Sequence, residues 1–337
     1  MDSLASHSIT LKGQKTHYYE SGSPVGTPLV FIHGWPGIAE TSKHQLRHFS
    51  TNKYRVIALD MRGYGKSSAP TDRRAYSLEV LVLELVELVE TLELEKAIWI
   101  AHDWGCGVVS ALASHYPELC LGIVLLSVPY RTLEMGVDYL VGLVNRDIYP
   151  AAEFQYGQWS YQKFYEQETE LSVRQFSADI EKVTKLIFSK GNPDQHGKPA
   201  GTSRVVEDRC WFGSELELAP NLPLDATVLD DNLFENLVTS LKSHGFFPPT
   251  AYYLNHDANE EYAKREKNGG VLDFPVLFVD AKYDAVCSIT TTPKMAEGQR
   301  ELCKNLTEEF LEAGHWIQLE RPAEVNQVLD RWLNVKF

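Results

Sequence analysis

Short apolar runs rich in Val and Ile recur along the first 130 residues: Pro28–Ile32, Tyr54–Leu59, Ala97–Ala101 and Gly122–Ser127. Unbroken runs of this length suit parallel strands buried on both faces. Thr16–Tyr19 follows a Lys12-Gly13 turn signal and predicts a hairpin strand. Between the runs the pattern turns helical over Glu40–Phe49, Ser77–Leu94 and Cys106–Tyr116. Ser77 stands as the cap of the second helix. Glu84, Glu87 and Glu90 share one of its faces, which reads as solvated. From about Tyr130 to Asn268 the alternation breaks into an aromatic, Pro- and Gly-rich stretch of mostly helical pattern. Within it Gly191–Pro223 reads as a loop, and loops of that length are usually functional or mobile. The strand–helix rhythm returns with Phe274–Asp280, Thr307–Ala313 and a helix from Pro322. The pattern predicts an α/β sheet interrupted by a mainly helical insertion after the fifth or sixth strand.

Composition narrows the partners. The 337 residues carry 32 Lys+Arg against 46 Asp+Glu, a net charge of −14. An acidic chain of this kind argues against binding to nucleic acid or to an anionic membrane surface. No apolar run approaches the roughly 18 residues of a membrane span, and the first residues show no secretory pattern. The five cysteines are Cys106, Cys120, Cys210, Cys287 and Cys303. Their number is odd and their spacing wide, which predicts reduced thiols, no zinc site and a cytoplasmic location, with the peroxisome as the alternative.

Ligands of open parallel sheets bind at the carboxyl ends of strands. Those ends carry His33-Gly34-Trp35-Pro36-Gly37, Asp60-Met61-Arg62-Gly63-Tyr64-Gly65-Lys66-Ser67, His102-Asp103-Trp104-Gly105-Cys106-Gly107, Asp284 and Gly314-His315-Trp316. A nucleophile elbow turns a strand sharply into a helix and needs small neighbours. Ala101 and Gly105 flank position 103 on either side, and Asp103 occupies the nucleophile slot. A carboxylate there can attack carbon and form an ester. Taken alone, Asp103 reads equally well as a helix cap. The order Asp103, Asp284, His315 follows nucleophile, acid, histidine. In that arrangement His315 takes a proton from water and Asp284 orients it. The backbone N–H groups of Trp35 and Trp104 are candidates for an oxyanion hole, with His33 a structural residue beside them. Gly65-Lys66-Ser67 and Gly105-Cys106-Gly107 fall short of phosphate- and dinucleotide-binding loops, lacking a glycine each.

These segments resemble the α/β-hydrolase superfamily, and within it the soluble epoxide hydrolases. His33-Gly34-Trp35-Pro36 resembles the H-G-x-P motif, residues 60–67 the D-x-R-G-x-G-x-S loop, and His102-Asp103-Trp104-Gly105 the H-D-W-G nucleophile segment. Ala101 and Cys106 stand where the family commonly has Gly. The resemblance implies an α/β-hydrolase core of residues 1–130 and 269–337 and a helical cap, or lid, of residues 131–268. It also implies two lid tyrosines that hold the epoxide oxygen. Trp159–Tyr165 places Tyr161 in that role and Gly245–Asn255 places Tyr253, with Tyr165 and Tyr252 as neighbouring alternatives. The implied reaction turns a small apolar epoxide and water into a vicinal diol, without metal or organic cofactor. A haloalkane dehalogenase with the same Asp-His-Asp triad and a non-catalytic binding protein are the competing readings.

Overall fold

The computed structural model describes residues 4–51, 53–213 and 219–337. Eight strands form one sheet: β1 (Ala5–Leu11), β2 (Gln14–Gly22), β3 (Thr27–Ile32), β4 (Tyr54–Asp60), β5 (Ala97–His102), β6 (Cys120–Leu126), β7 (Leu272–Ala281) and β8 (Cys303–Leu311). Their order is β1-β2-β4-β3-β5-β6-β7-β8. β1 and β2 form an antiparallel hairpin through Lys12 and Gly13, both at positive φ. β2 meets β4 antiparallel, and every later pair is parallel.

The continuous apolar runs are explained by two cores. Val30, Ile32, Trp99, Ala101, Ile123 and Leu125 enter one, and Leu29, Phe31, Ile98, Ile100, Val124 and Leu126 enter the other. Alternate residues of a strand point to opposite faces, so burial of both faces leaves no polar positions. α2 (Leu78–Thr91) and α3 (Trp104–His115) cover the first face, and α1 (Lys43–Phe49) and the C-terminal helix Pro322–Lys336 cover the second.

Between β6 and β7 the described chain contains helices and turns but no strand. Its helices are α4 (Val137–Leu143), α5 (Ser160–Gln167), α6 (Thr169–Ser177), α7 (Ile180–Ile187), α8 (Val205–Asp208), α9 (Asp231–His244), α10 (Phe247–Ala251) and α11 (His256–Ala263). The segment expected as a loop, 191–223, carries 3-10 turns at Pro193–Gln195 and Gly201–Arg204 as well as α8. Residues 214–218 of that segment lie outside the described residues. Among the described residues all five cysteines are buried and none forms a disulfide, and no helix is long and apolar enough to cross a membrane.

One local expectation is refined and one corrected. Ser77 is the N-cap residue of α2, but its hydroxyl accepts no helix N–H. Leu78 N–H donates instead to Oδ1 of Asn259 on α11, at 2.9 Å. Glu84 is not solvated; it is buried on the stripe of Leu81, Leu85 and Leu88. Thr16 Oγ1 donates to it at 2.7 Å, and Arg62 Nε lies 3.3 Å from its other oxygen. Burial pushes its carboxyl up and Arg62 opposes that shift. Glu87 is half-buried and Glu90 exposed, so the three glutamates do not share one environment.

Candidate active site

β5 ends at His102 and α3 begins at Trp104, leaving Asp103 to make the whole turn at φ 53° and ψ −125°. That conformation is strained for a residue with a side chain. It requires glycine nearby. A Cβ on Gly105 would stand 2.2 Å from the Ile32 carbonyl oxygen, and one on Gly34 would stand 2.3 Å from Asp103 Oδ1. The helix-cap reading of Asp103 does not hold, because its side chain accepts no N–H from α3. Its Oδ1 accepts the backbone N–H of Trp35 at 2.5 Å. Trp104 N–H opens α3, where no carbonyl one turn back exists to take its hydrogen bond. The Trp104 ring packs against Tyr253 at 5.1 Å between centroids.

Oδ2, the other oxygen of Asp103, faces His315 Nε2 at 3.4 Å. His315 Nδ1 lies 2.7 Å from Asp284 Oδ2. Asp284 is buried, and its Oδ1 accepts the N–H groups of Val286 and Cys287 at 2.9 and 3.0 Å. Burial pushes the Asp284 carboxyl up, but His315 and the donated hydrogen bonds carry it below the usual range. Burial likewise pulls His315 down, and the two carboxylates outweigh it, raising its pKa to about 10. The two carboxylates on either side thus favour the protonated form of the imidazole.

Residues other than Asp103 and Asp284 also fix His315. Its carbonyl accepts from His102 Nε2 at 2.7 Å and from Ser127 Oγ at 3.0 Å. Burial, reinforced by the charge of His315, lowers the His102 pKa to about 3, so its ring is neutral. Glu320 Oε2 accepts the N–H of Gly314 at 2.8 Å and that of Gly191 at 2.9 Å, tying the histidine turn to the segment after α7. Sequence reasoning found neither role. His102 was visible only as part of a motif, and no local signal marks Glu320.

The turn after β3 is held by its own residues. Met61 N–H donates to His33 Nε2 at 3.0 Å, so the proton sits on Nδ1 and is donated to the Gly34 carbonyl at 2.9 Å. Burial lowers the pKa of His33. Pro36 follows Trp35 through a cis peptide bond. Asp60 accepts the N–H of Ala39 at 2.9 Å and that of Lys66 at 3.0 Å, binding the two strand-end loops together.

Trp35, Asp103, Tyr161, Tyr253, Asp284 and His315 all line one cavity of about 400 Å³. Tyr161 comes from α5, and Tyr253 from the turn after α10. Their rings meet at 5.7 Å, nearly edge to face. Burial pushes both phenols far up, keeping them protonated donors. The alternatives point elsewhere. Tyr252 donates to the Arg62 carbonyl at 2.8 Å, and Tyr165 packs behind Tyr253 without lining the cavity. The 191–223 segment contributes Gly191, Asn192, Gln195 and Trp211 to the wall. Among the described residues Asp284, Cys287 and His315 are the one group of three with metal-ligating atoms together, all within 4.8 Å of one another. Chemically, the site sets a carboxylate, an imidazole–carboxylate pair and two neutral phenols around an aromatic chamber.

The chain matches the model of the alpha/beta hydrolase fold over residues 27–322. It is 27% identical over 334 residues to bifunctional epoxide hydrolase 2 of Sus scrofa, covering 98% of this chain and 56% of the relative. It therefore spans about half the length of that mammalian relative. It is 26% identical over 328 residues to epoxide hydrolase A of Mycobacterium tuberculosis, covering 96% of each. The crystal structure of epoxide hydrolase A from Mycobacterium thermoresistibile superposes with a TM-score of 0.78 at 26% identity, covering 98% of each chain. With the elbow and the sheet order already described, the chain belongs to the alpha/beta hydrolase fold family.

Proposed function

We propose that this protein is an epoxide hydrolase working through a covalent ester on Asp103. One observation carries the reading. Asp103, in the elbow with Trp35 N–H on Oδ1 and His315 beside Oδ2, shares its cavity with two buried phenols. In this reading residues 1–130 and 269–337 form the core with the triad, and residues 131–268 form the cap with both phenols. Oδ2 attacks an epoxide carbon while Tyr161 and Tyr253 donate to the departing oxygen. Forming the ester removes the charge of Asp103, one of the two carboxylates that hold the proton on His315. The proton of His315 then passes through water to the phenolate left when a tyrosine protonates the epoxide oxygen. The neutral imidazole, oriented by Asp284, is free to act as base. It takes a proton from water, which attacks the Asp103 carboxyl carbon. Negative charge gathers on Oδ1, where the N–H of Trp35 already points, and the N–H of Trp104 is the second donor of this reading. As the intermediate collapses, the bond to the alkyl oxygen breaks. That oxygen takes the proton from His315 and leaves as a vicinal diol, and the Asp103 carboxyl returns its own proton to His315.

The aromatic walls favour a small apolar epoxide. The same nucleophile suits a carbon–halogen bond, but a halide needs no pair of phenols, and the two that line the cavity favour the epoxide. A single turnover in heavy-oxygen water tests the mechanism. Heavy oxygen is expected in Asp103 and not in the first diol. A heavy first diol with unlabelled Asp103 overturns the ester.

A further inference from the structure

A second hydrogen-bonded relay lies outside the cavity. Ser6 on β1 is exposed, and its Oγ lies 2.8 Å from Nε2 of His17 on β2. His17 Nδ1 lies 2.7 Å from Asp60 Oδ2 at the end of β4. His17 and Asp60 are both buried. The carboxylate can only accept, so Nδ1 carries a proton, and in the neutral tautomer that results Nε2 is the acceptor for the hydroxyl hydrogen of Ser6. Asp60 cannot swing away, since Ala39 N–H and Lys66 N–H bind its two oxygens. His17 is also fixed from behind, its own N–H donating to Ser67 Oγ at 2.9 Å. Burial pushes Asp60 up, yet these donors hold it below the usual range and ionised. A nucleophile bonded to a base, and that base bonded to an orienting acid, is the arrangement that activates a hydroxyl. Here the base–nucleophile contact is shorter than the 3.4 Å between His315 and Asp103.

We propose that Ser6, His17 and Asp60 form a second nucleophilic site that accepts an activated acyl or phosphonyl group. None of the three lines the epoxide cavity. Ser6 Oγ attacks the acyl carbon or the phosphorus, and its proton passes to His17 Nε2. The leaving group departs with its electron pair, taking up that proton where its basicity requires. A seryl ester remains, which a water deprotonated by the same imidazole hydrolyses when the group is acyl. β1 is the sheet's edge, so alternate N–H groups along it lack strand partners and can donate to the developing oxyanion. With Ser6 exposed, the site takes small reactive esters and not bulky specific ones.

An alkyl fluorophosphonate tests this, because phosphonylation expels fluoride and leaves a stable mark for peptide mapping. Ser8 is the internal control. It sits across from His17 in the hairpin, is exposed, and has no hydrogen bond to the ring. Ser6 is expected to label at least about tenfold faster than Ser8 in the unaltered protein. His17→Gln should slow Ser6 labelling by about 100-fold, the usual worth of a general base. Ser6→Ala should abolish the mark and leave epoxide turnover unchanged. Equal labelling of Ser6 and Ser8 overturns the proposal, as does labelling of Ser6 indifferent to His17→Gln. If His17→Gln fails to fold, the Ser6-to-Ser8 ratio in the unaltered protein decides.

Discussion

Gln162 donates a hydrogen bond from its buried amide nitrogen to the phenolic oxygen of Tyr161, at 3.0 Å. A phenol oxygen accepts and donates at once. With Gln162 filling the acceptor side, the Tyr161 hydrogen is left to point elsewhere, and the cavity is where the ring ends. The same donated bond stabilises any negative charge that grows on the oxygen as the hydrogen moves toward an epoxide. In the proposed reaction Gln162 is therefore a positioning residue for Tyr161, not a group that touches substrate.

Replacing it should slow ester formation and spare ester hydrolysis. Gln162→Leu removes one hydrogen bond worth about 1–1.5 kcal/mol. Rapid-quench single turnovers should show ester formation slower by about tenfold, with decay of the ester unaltered. Equal slowing of both steps would mean that the variant distorts the cavity as a whole.

The paired state of His315 makes stability depend on pH in a definite direction. Its folded pKa is raised to about 10, against an ordinary value of 6.5. The folded state then binds the proton more tightly than the unfolded chain does. The stabilisation is complete below about pH 6.5 and is lost as pH rises toward 10. Between those limits the unfolding free energy should fall with pH, by at most about 1.4 kcal/mol per pH unit from this group. Urea unfolding from pH 7 to pH 10 measures it, with His315→Gln as reference. The gap between the two proteins should shrink toward pH 10, and a constant gap refutes the assignment. Asp284 acts at the other end. Its lowered pKa gives stability that disappears only as pH falls below the ordinary carboxylate range.

What was legible in the chain follows from how locally each feature is determined. The strands β3 to β7 are short apolar runs because both faces of the sheet are covered, and that condition is written residue by residue. The elbow is legible because a sharp turn under Asp103 forces small residues at fixed positions around it. Glu84 was misread because helical spacing says which face it occupies, not what waits there. Its partners, Thr16 and Arg62, come from a hairpin and a loop. The contact between His102 and the His315 carbonyl spans 213 positions, and no local pattern announces it. The cavity wall drawn from the 191–223 segment was illegible for the same reason.

The Arg62–Glu84 pair should be costly to break and cheap to replace. Both side chains are buried, and removing one partner leaves the other charge without compensation. Arg62→Leu and Glu84→Leu should each lower unfolding free energy by about 3–5 kcal/mol. The double variant should recover most of that loss, because no isolated charge remains. Urea midpoints of the four proteins in a double-mutant cycle measure the coupling. Additive losses would show that the two residues act separately.

Glu320 should govern the order of the histidine turn. Its single carboxylate oxygen takes the N–H groups of both Gly314 and Gly191, one before the base and one in the cavity wall. Glu320→Ala leaves those two amides without their acceptor. Amide hydrogen exchange should quicken in peptides covering residues 189–192 and 313–316, with the distant strands unaffected. His315 then samples positions off the line to Asp103, and ester hydrolysis should slow by about tenfold, the worth of one such bond. Glu320→Gln keeps an acceptor oxygen at the same place and should restore most of both readouts. Accelerated exchange at only one of the two peptides would show that Glu320 holds the base or the wall, but does not couple them.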